Sequence, residues 1–293
     1  MTSGKTATPS VTAFCLEGLL RLKSVGLYRN NVDETNQHLC SAWEPVIRFD
    51  DNGVVVQLDF VGCRLRKGLP EESLNILQEF FSGTVTSLNL GGTDLPPKDT
   101  AEMLQQCFPH VSEVHLGGNN LMDTGVQILA TDWLVTCSTL KVLDLRYNEI
   151  QAQGCSDLCS ALQKQSTLIN LYLEGNRLQD EGATVLAKWL AQSDCPLVEV
   201  FLGSNNIGPS GAKALAEALP TNTTLTKLYL ECNRIQEAGA EVFTQVLTTQ
   251  EENKSCIILK HLYCDNNEIG KDASKRLAQA LNGATAIGDS LFD

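Results

Sequence analysis

Side chains able to do chemistry are few and scattered in this sequence. Its 293 residues hold four histidines, His38, His110, His115 and His261, and eleven cysteines. A nucleophilic triad or a metal centre needs such groups within a few ångströms of one another. His115 and His261 are separated by five copies of a repeated pattern, so at about 4.8 Å per strand they stand roughly 24 Å apart. No C-x-x-C pair occurs, and the nearest two cysteines, Cys155 and Cys159, are spaced i, i+4 on a predicted helix. Close sulfur pairing is what zinc ribbons and thioredoxin-like centres require. Others, such as Cys63 and Cys264, sit at apolar repeat positions and read as small core side chains kept reduced in the cytoplasm. There is no G-x-x-x-x-G-K-[ST], no H-E-x-x-H and no G-x-G-x-x-G after a strand. The glycine pairs at 91–92 and 117–118 fall in turns after strands and read as loop geometry. Neither an enzyme active site nor a cofactor or metal site is expected.

Composition narrows the partners instead. An apolar fraction of 43% and a charged fraction of 19% describe a folded chain. Thirty-five acidic against 22 basic residues give a net charge of −13. That field repels phosphate backbones and anionic lipid, so nucleic acid and membrane surfaces are disfavoured and a basic protein is favoured. No apolar stretch reaches the ~18 residues of a membrane span, and Glu17 interrupts the first apolar run, which argues against a secretory signal. A cytoplasmic monomer is the expectation.

The elements that position everything else come from a repeat. The pattern L-x-x-L-x-L-x-x-N-x-[LI] occurs at 111–121, 140–150, 168–178, 197–207, 225–235 and 259–269, with weaker copies at 55–65 and 85–95. The Asn slot is Cys63, Thr93, Asn119, Asn148, Asn176, Asn205, Asn233 and Asn267, spaced 30, 26, 29, 28, 29, 28 and 34 residues apart. In L-x-L the two leucines point one way and the residue between them the other, as in a short strand. The Asn amide can satisfy backbone groups where the chain leaves that strand, a task Cys or Thr does imperfectly. Segments such as 182–192, 211–220 and 239–247 then carry Ala and Leu at helical spacing, each opened by a glycine where close backbone approach fits. Strand, turn and helix every ~28 residues build a curved α/β solenoid with parallel strands inside and helices outside.

The repeat length and the motif N-x-L-x-x-x-G-A-x-x-L-A at 176–187 resemble the ribonuclease-inhibitor-like subfamily of leucine-rich repeats. That resemblance implies the same solenoid, on which inhibitors, GTPase activators, immune sensors and cytoskeletal caps have all been built. Residues 1–54 are expected to form an N-terminal flank and helical cap, 55–282 eight repeats, and 283–293 a short tail. Within 12–70, the elements LEGLLRLKS, Trp43, Val46, DDNGVVVQLDF and GLP are similar to the N-terminal cap of plant-type leucine-rich-repeat proteins, although only Cys40 stands where that cap has a cysteine pair. The polar stretch 248–256 accounts for the 34-residue interval and is expected to bulge as a loop.

Outward strand residues line the concave face in columns. One runs Asp59, Asn89, His115, Asp144, Tyr172, Phe201, Tyr229, Tyr263; the next runs Val61, Gly91, Gly117, Arg146, Glu174, Gly203, Glu231, Asp265. The last four repeats therefore present an aromatic ladder, Tyr172, Phe201, Tyr229 and Tyr263, flanked by Glu174, Glu199, Glu231 and Asp265. Rings give large rigid contact area, and carboxylates steer a basic partner. These eight residues are the candidate partner-binding set of a non-catalytic interaction scaffold. The same rings could also serve to stiffen the sheet. The resemblance adds two alternatives: an inhibitor of a basic enzyme, or a GTPase-activating protein of the Ran activator type. Trp133 and Trp189 fall at apolar helix positions and read as packing residues.

Overall fold

In the computed structural model, the described residues are 47–51, 54–61, 65–69, 71–164, 167–253 and 257–281. The helix expected over 12–27, Cys40, Trp43, Val46, Cys63, Pro70 and the tail at 283–293 lie outside them. One nine-stranded sheet runs in sequence order, β1 (Ile47–Phe49), β2 (Val55–Asp59), β3 (Ser87–Asn89), β4 (Glu113–His115), β5 (Val142–Asp144), β6 (Asn170–Tyr172), β7 (Glu199–Phe201), β8 (Lys227–Tyr229) and β9 (His261–Tyr263). Strands β2 to β9 pair in parallel, each in the same register. Strand β1 was not foreseen; it pairs antiparallel with β2, Arg48 opposite Gln57, and covers the first edge of the sheet.

Helices α1 (Glu71–Phe81), α2 (Pro97–Cys107), α3 (Met122–Leu129), α4 (Ala152–Leu162), α5 (Gln179–Leu190), α6 (Pro209–Ala218), α7 (Gln236–Asn253) and α8 (Lys271–Ala280) return the chain between strands. From β3 to β9 the central residue of each strand, such as Leu143, Leu171 and Leu228, is at most 1% exposed and meets the apolar stripe of the helices behind it. In α5 that stripe is Ala183, Leu186, Ala187, Trp189 and Leu190. Trp133 lies in a π-turn over Ala130–Leu134 that extends α3; like Trp189, it is buried in the core. The glycines that open the helices do meet neighbours closely: a Cβ on Gly239 would fall 2.6 Å from Ile235 Cγ2 and 2.9 Å from Ala212 Cβ.

Helix α7 corrects one expectation. It continues through Asn253 instead of bulging from 248, with Thr248 and Thr249 hydroxyls donating to the Thr244 and Gln245 carbonyls at 2.8 Å. The added Gln and Glu residues are good helix formers, so the extra length is taken up as further turns.

A buried asparagine ladder ties the repeats together. Asn176 Nδ2 donates to the carbonyls of Leu145, one repeat back, at 3.0 Å and of Leu173 at 2.9 Å. Its Oδ1 accepts the backbone N–H groups of Asn148 and Ile150, both at 3.0 Å. Asn233 repeats this with Leu202, Leu230, Asn205 and Ile207. Thr93 copies only part of it: its hydroxyl donates to Leu90 O at 2.8 Å, while the Asn119 amide of the next repeat does the bridging. Aspartates four residues after the Asn slot add a second tie. Asp180 Oδ1 accepts the Gly208 and Gly211 N–H groups at 2.6 and 2.9 Å and thereby caps α6.

Candidate functional site

Strand register brings the predicted column into one line: Asp59, Asn89, His115, Asp144, Tyr172, Phe201, Tyr229 and Tyr263 are successive Cα partners. Parallel strands in constant register hold equivalent side chains one strand spacing apart, close enough for rings to touch face to face. Tyr172, Phe201, Tyr229 and Tyr263 form a continuous stack, with centroids 4.1, 4.1 and 4.4 Å apart and interplanar angles of 11°, 11° and 5°. All four are half-buried: their faces cover each other and their edges line the concavity. Burial pushes the Tyr172 and Tyr229 phenols up, so both stay protonated at neutral pH.

The acids divide into two groups. Glu174, Glu231 and Asp265 lie in the neighbouring column and make no ion pair with a side chain among the described residues. Glu174 and Glu231 close over Gly203, whose added Cβ would meet Glu174 Cγ at 3.5 Å and Glu231 Oε2 at 3.7 Å. Desolvation raises both glutamates, with Asp265 adding repulsion on Glu231. Glu174 Oε2 and Asp265 Oδ1 are shielded and meet no hydrogen-bond donor. These three carboxylates thus keep unspent acceptor capacity. Glu199, two residues before Phe201, sits on the other side of the ladder, salt-bridged to Lys227 at 2.8 Å, so its charge is answered within the protein.

At the ladder's N-terminal end the structure adds a network that sequence reasoning missed. Asp144, with its side chain 4% exposed, accepts from Arg146 Nη2 at 2.7 Å and Nε at 3.0 Å, and lies 3.4 Å from His115 Nδ1. Burial alone would raise Asp144, but the hydrogen bonds from His115 and Arg146 outweigh it and hold the carboxyl well below the usual carboxylate range. An ionised carboxylate only accepts, so His115 donates through Nδ1 and turns Nε2 outward. The Arg146 guanidinium also lies 5.4 Å from the Tyr172 ring centroid and closes the stack. Only the i, i+2 spacing of Asp144 and Arg146 hinted at this in the sequence.

The described cysteines are free, and all but Cys232 are buried, Cys264 among them. Burial pushes the Cys107 thiol up to about 12 and the Cys195 thiol up to about 11, which leaves neither as a nucleophile at neutral pH. Among the described residues no group of three or more His, Cys, Asp or Glu side chains could hold a metal ion. No helix among them is long and apolar enough to cross a membrane.

Comparison with known proteins places this geometry. The Leucine Rich repeat family matches residues 136–159, 164–187, 194–216 and 221–243. Ribonuclease inhibitor of Sus scrofa is 36% identical over 136 residues, which cover 46% of this chain and 30% of that protein. NACHT, LRR and PYD domains-containing protein 5 of Bos taurus is 31% identical over 198 residues, 67% of this chain and 18% of that protein. The chain therefore spans less than a third of the length of either relative. The solved internalin C2 of Listeria monocytogenes aligns over 95% of this chain and 96% of its own at 17% identity and a TM-score of 0.44. The matched segments and the parallel-strand architecture make the fold a leucine-rich-repeat solenoid, whose repeats are similar to those of ribonuclease inhibitor.

Proposed function

We propose that this protein is a non-catalytic, cytoplasmic interaction module that acts as a monomer and grips a basic protein on its concave face. Leucine-rich-repeat proteins typically mediate protein–protein interaction, and the reading here goes further by naming the surface. The observation that carries it is the four-ring stack beside three carboxylates that form no salt bridge among the described residues, two of which, Glu174 and Asp265, hold a shielded oxygen that meets no donor. A structural stiffener would need the rings alone. Holding Glu174, Glu231 and Asp265 partly desolvated and unpaired costs stability, and a partner's Lys or Arg would recover that cost. Tyr172, Phe201, Tyr229 and Tyr263 supply the contact area; Glu174, Glu231 and Asp265 supply the charge; Glu199 orders Lys227 at the margin.

Inhibition of a basic ribonuclease is the second reading, favoured by the 36% identity to the porcine inhibitor. A ribonuclease A titration at micromolar protein decides it, since an undiminished turnover rate removes that version. The general reading is tested by capturing proteins from lysate on wild type and on the Phe201→Ala/Tyr229→Ala protein in parallel. A basic protein held by the first and lost from the second is the expected result. Identical captured sets would overturn the assignment of the ladder.

A further inference from the structure

North of Arg146 the concave face opens into a depression of about 470 Å³. Its floor is the paired glycines 91–92 and 117–118, its ends are Val61 and Tyr147, and His115 and Arg146 stand at its side. The backbone does not demand these glycines. In other repeats Glu174, Glu231 and Asp265 occupy the position of Gly91 and Gly117, and Tyr147, Ser204, Cys232 and Asn266 occupy the position of Gly92 and Gly118 at φ of 54° to 57°. Three of the four also leave room for a side chain: a Cβ on Gly117 meets nothing nearer than 3.5 Å, and on Gly92 or Gly118 nothing within 4 Å, whereas one on Gly91 would crowd Asn89 Oδ1 at 3.2 Å and the Gly117 carbonyl at 3.3 Å. What the glycines supply is the space itself.

The chemistry of that space is specific. Val61 and Tyr147, at 39% and 66% exposed, are two of the five large apolar side chains that stay exposed among the described residues, and both border it. Bare peptide planes between them offer a flat floor. Asp144 and Arg146 neutralise each other through two hydrogen bonds, so neither an anion nor a cation finds an unanswered countercharge. With Nδ1 committed to Asp144, His115 offers Nε2 as an acceptor. A flat, uncharged, largely apolar group with one hydrogen-bond donor matches all of these features.

We propose that the depression is a binding site for an aromatic side chain carrying a donor, an indole or a phenol, presented by the protein that lies along the concave face. This rests on the concave-face reading, and it makes the site a second anchor beyond the tyrosine ladder, separated from it by Arg146. Buried aromatic anchors in such pockets dominate many interfaces.

The test needs no partner. N-acetyl-tryptophanamide is titrated into ¹⁵N-labelled protein, with amide shifts followed at Gly91, Gly92, Gly117 and Gly118. Saturable shifts at these glycines are expected, with a millimolar or tighter Kd, and with N-acetyl-leucinamide and N-acetyl-argininamide at least tenfold weaker. Two filling variants, Gly117→Leu and Gly118→Tyr, the latter copying Tyr147 at the equivalent position, are each expected to weaken the probe at least tenfold while the remaining spectrum persists. Absent shifts, equal binding of the leucine analogue, or an unchanged titration in both variants would overturn the proposal. Failure of the ladder reading would show differently, as unchanged partner affinity in the Phe201→Ala/Tyr229→Ala protein.

Discussion

Replacing Asn176 with Ala removes four short hydrogen bonds at once, two donated to Leu145 O and Leu173 O and two accepted from Asn148 and Ile150 N–H. Asn176 is 3% exposed, so water cannot easily substitute for the lost side chain. Each bond contributes about 0.5–1.5 kcal/mol net, and a buried group left unmade costs about 1–3 kcal/mol. Four such groups, partly relieved by backbone adjustment, give a loss of roughly 4 kcal/mol. Asn176→Thr is the internal control, because Thr93 shows what a hydroxyl can do in this slot: it makes one donation at 2.8 Å. Its loss should be about half that of the alanine variant. Urea unfolding monitored by circular dichroism gives both values, with the slope checked because a solenoid can lose cooperativity when one repeat fails. Amide exchange at Asn148 and Ile150 should accelerate in the alanine protein. A loss below about 1 kcal/mol, or a threonine variant no better than alanine, would refute the view that this ladder couples neighbouring repeats.

Other consequences are open to measurement. Asp180→Ala should cost about 1 kcal/mol in thermal or urea unfolding, since it strips the acceptor of two N–H groups from the start of α6. Asp144 has a depressed folded-state pKa, so its contribution to stability is present above the usual carboxylate range and is lost as pH falls toward the depressed value; Asp144→Asn should flatten acid unfolding on that side. Glu231 is shifted the other way, so its charge opposes folding at neutral pH, and Glu231→Gln should hold or raise stability at pH 7 while weakening a basic partner. Partner association should slow as salt rises toward physiological ionic strength and beyond, measured as the on-rate by surface plasmon resonance.

How much of this was visible beforehand follows from what repeats do. Constant register in parallel strands makes column membership a matter of counting, so Tyr172, Phe201, Tyr229 and Tyr263 could be aligned from spacing alone. The Asn slot was likewise legible, because a buried polar residue at a fixed position must satisfy a fixed set of backbone groups. Side-chain pairing was not. Glu199 and Lys227 are direct register partners on β7 and β8, but that they form an ion pair, and that Asp144 takes both Arg146 and His115, is decided by rotamers and local burial that periodicity does not carry. Strand β1 and the extra turns of α7 escaped for a different reason: both fall where the repeat stops dictating structure, at the sheet's first edge and in the long interval before β9.

The central claim is that the aromatic ladder and its carboxylates hold a protein partner. Its most direct test is calorimetry of one purified, wild-type-selected partner against the wild-type protein and against the Phe201→Ala/Tyr229→Ala protein, with the far-UV spectrum of each checked for intact fold. Truncating two central anchors at about 2 kcal/mol apiece predicts a Kd weaker by roughly several hundred-fold. Two dissociation constants within twofold of each other would contradict the claim and leave the stacked rings as a stiffener of the sheet.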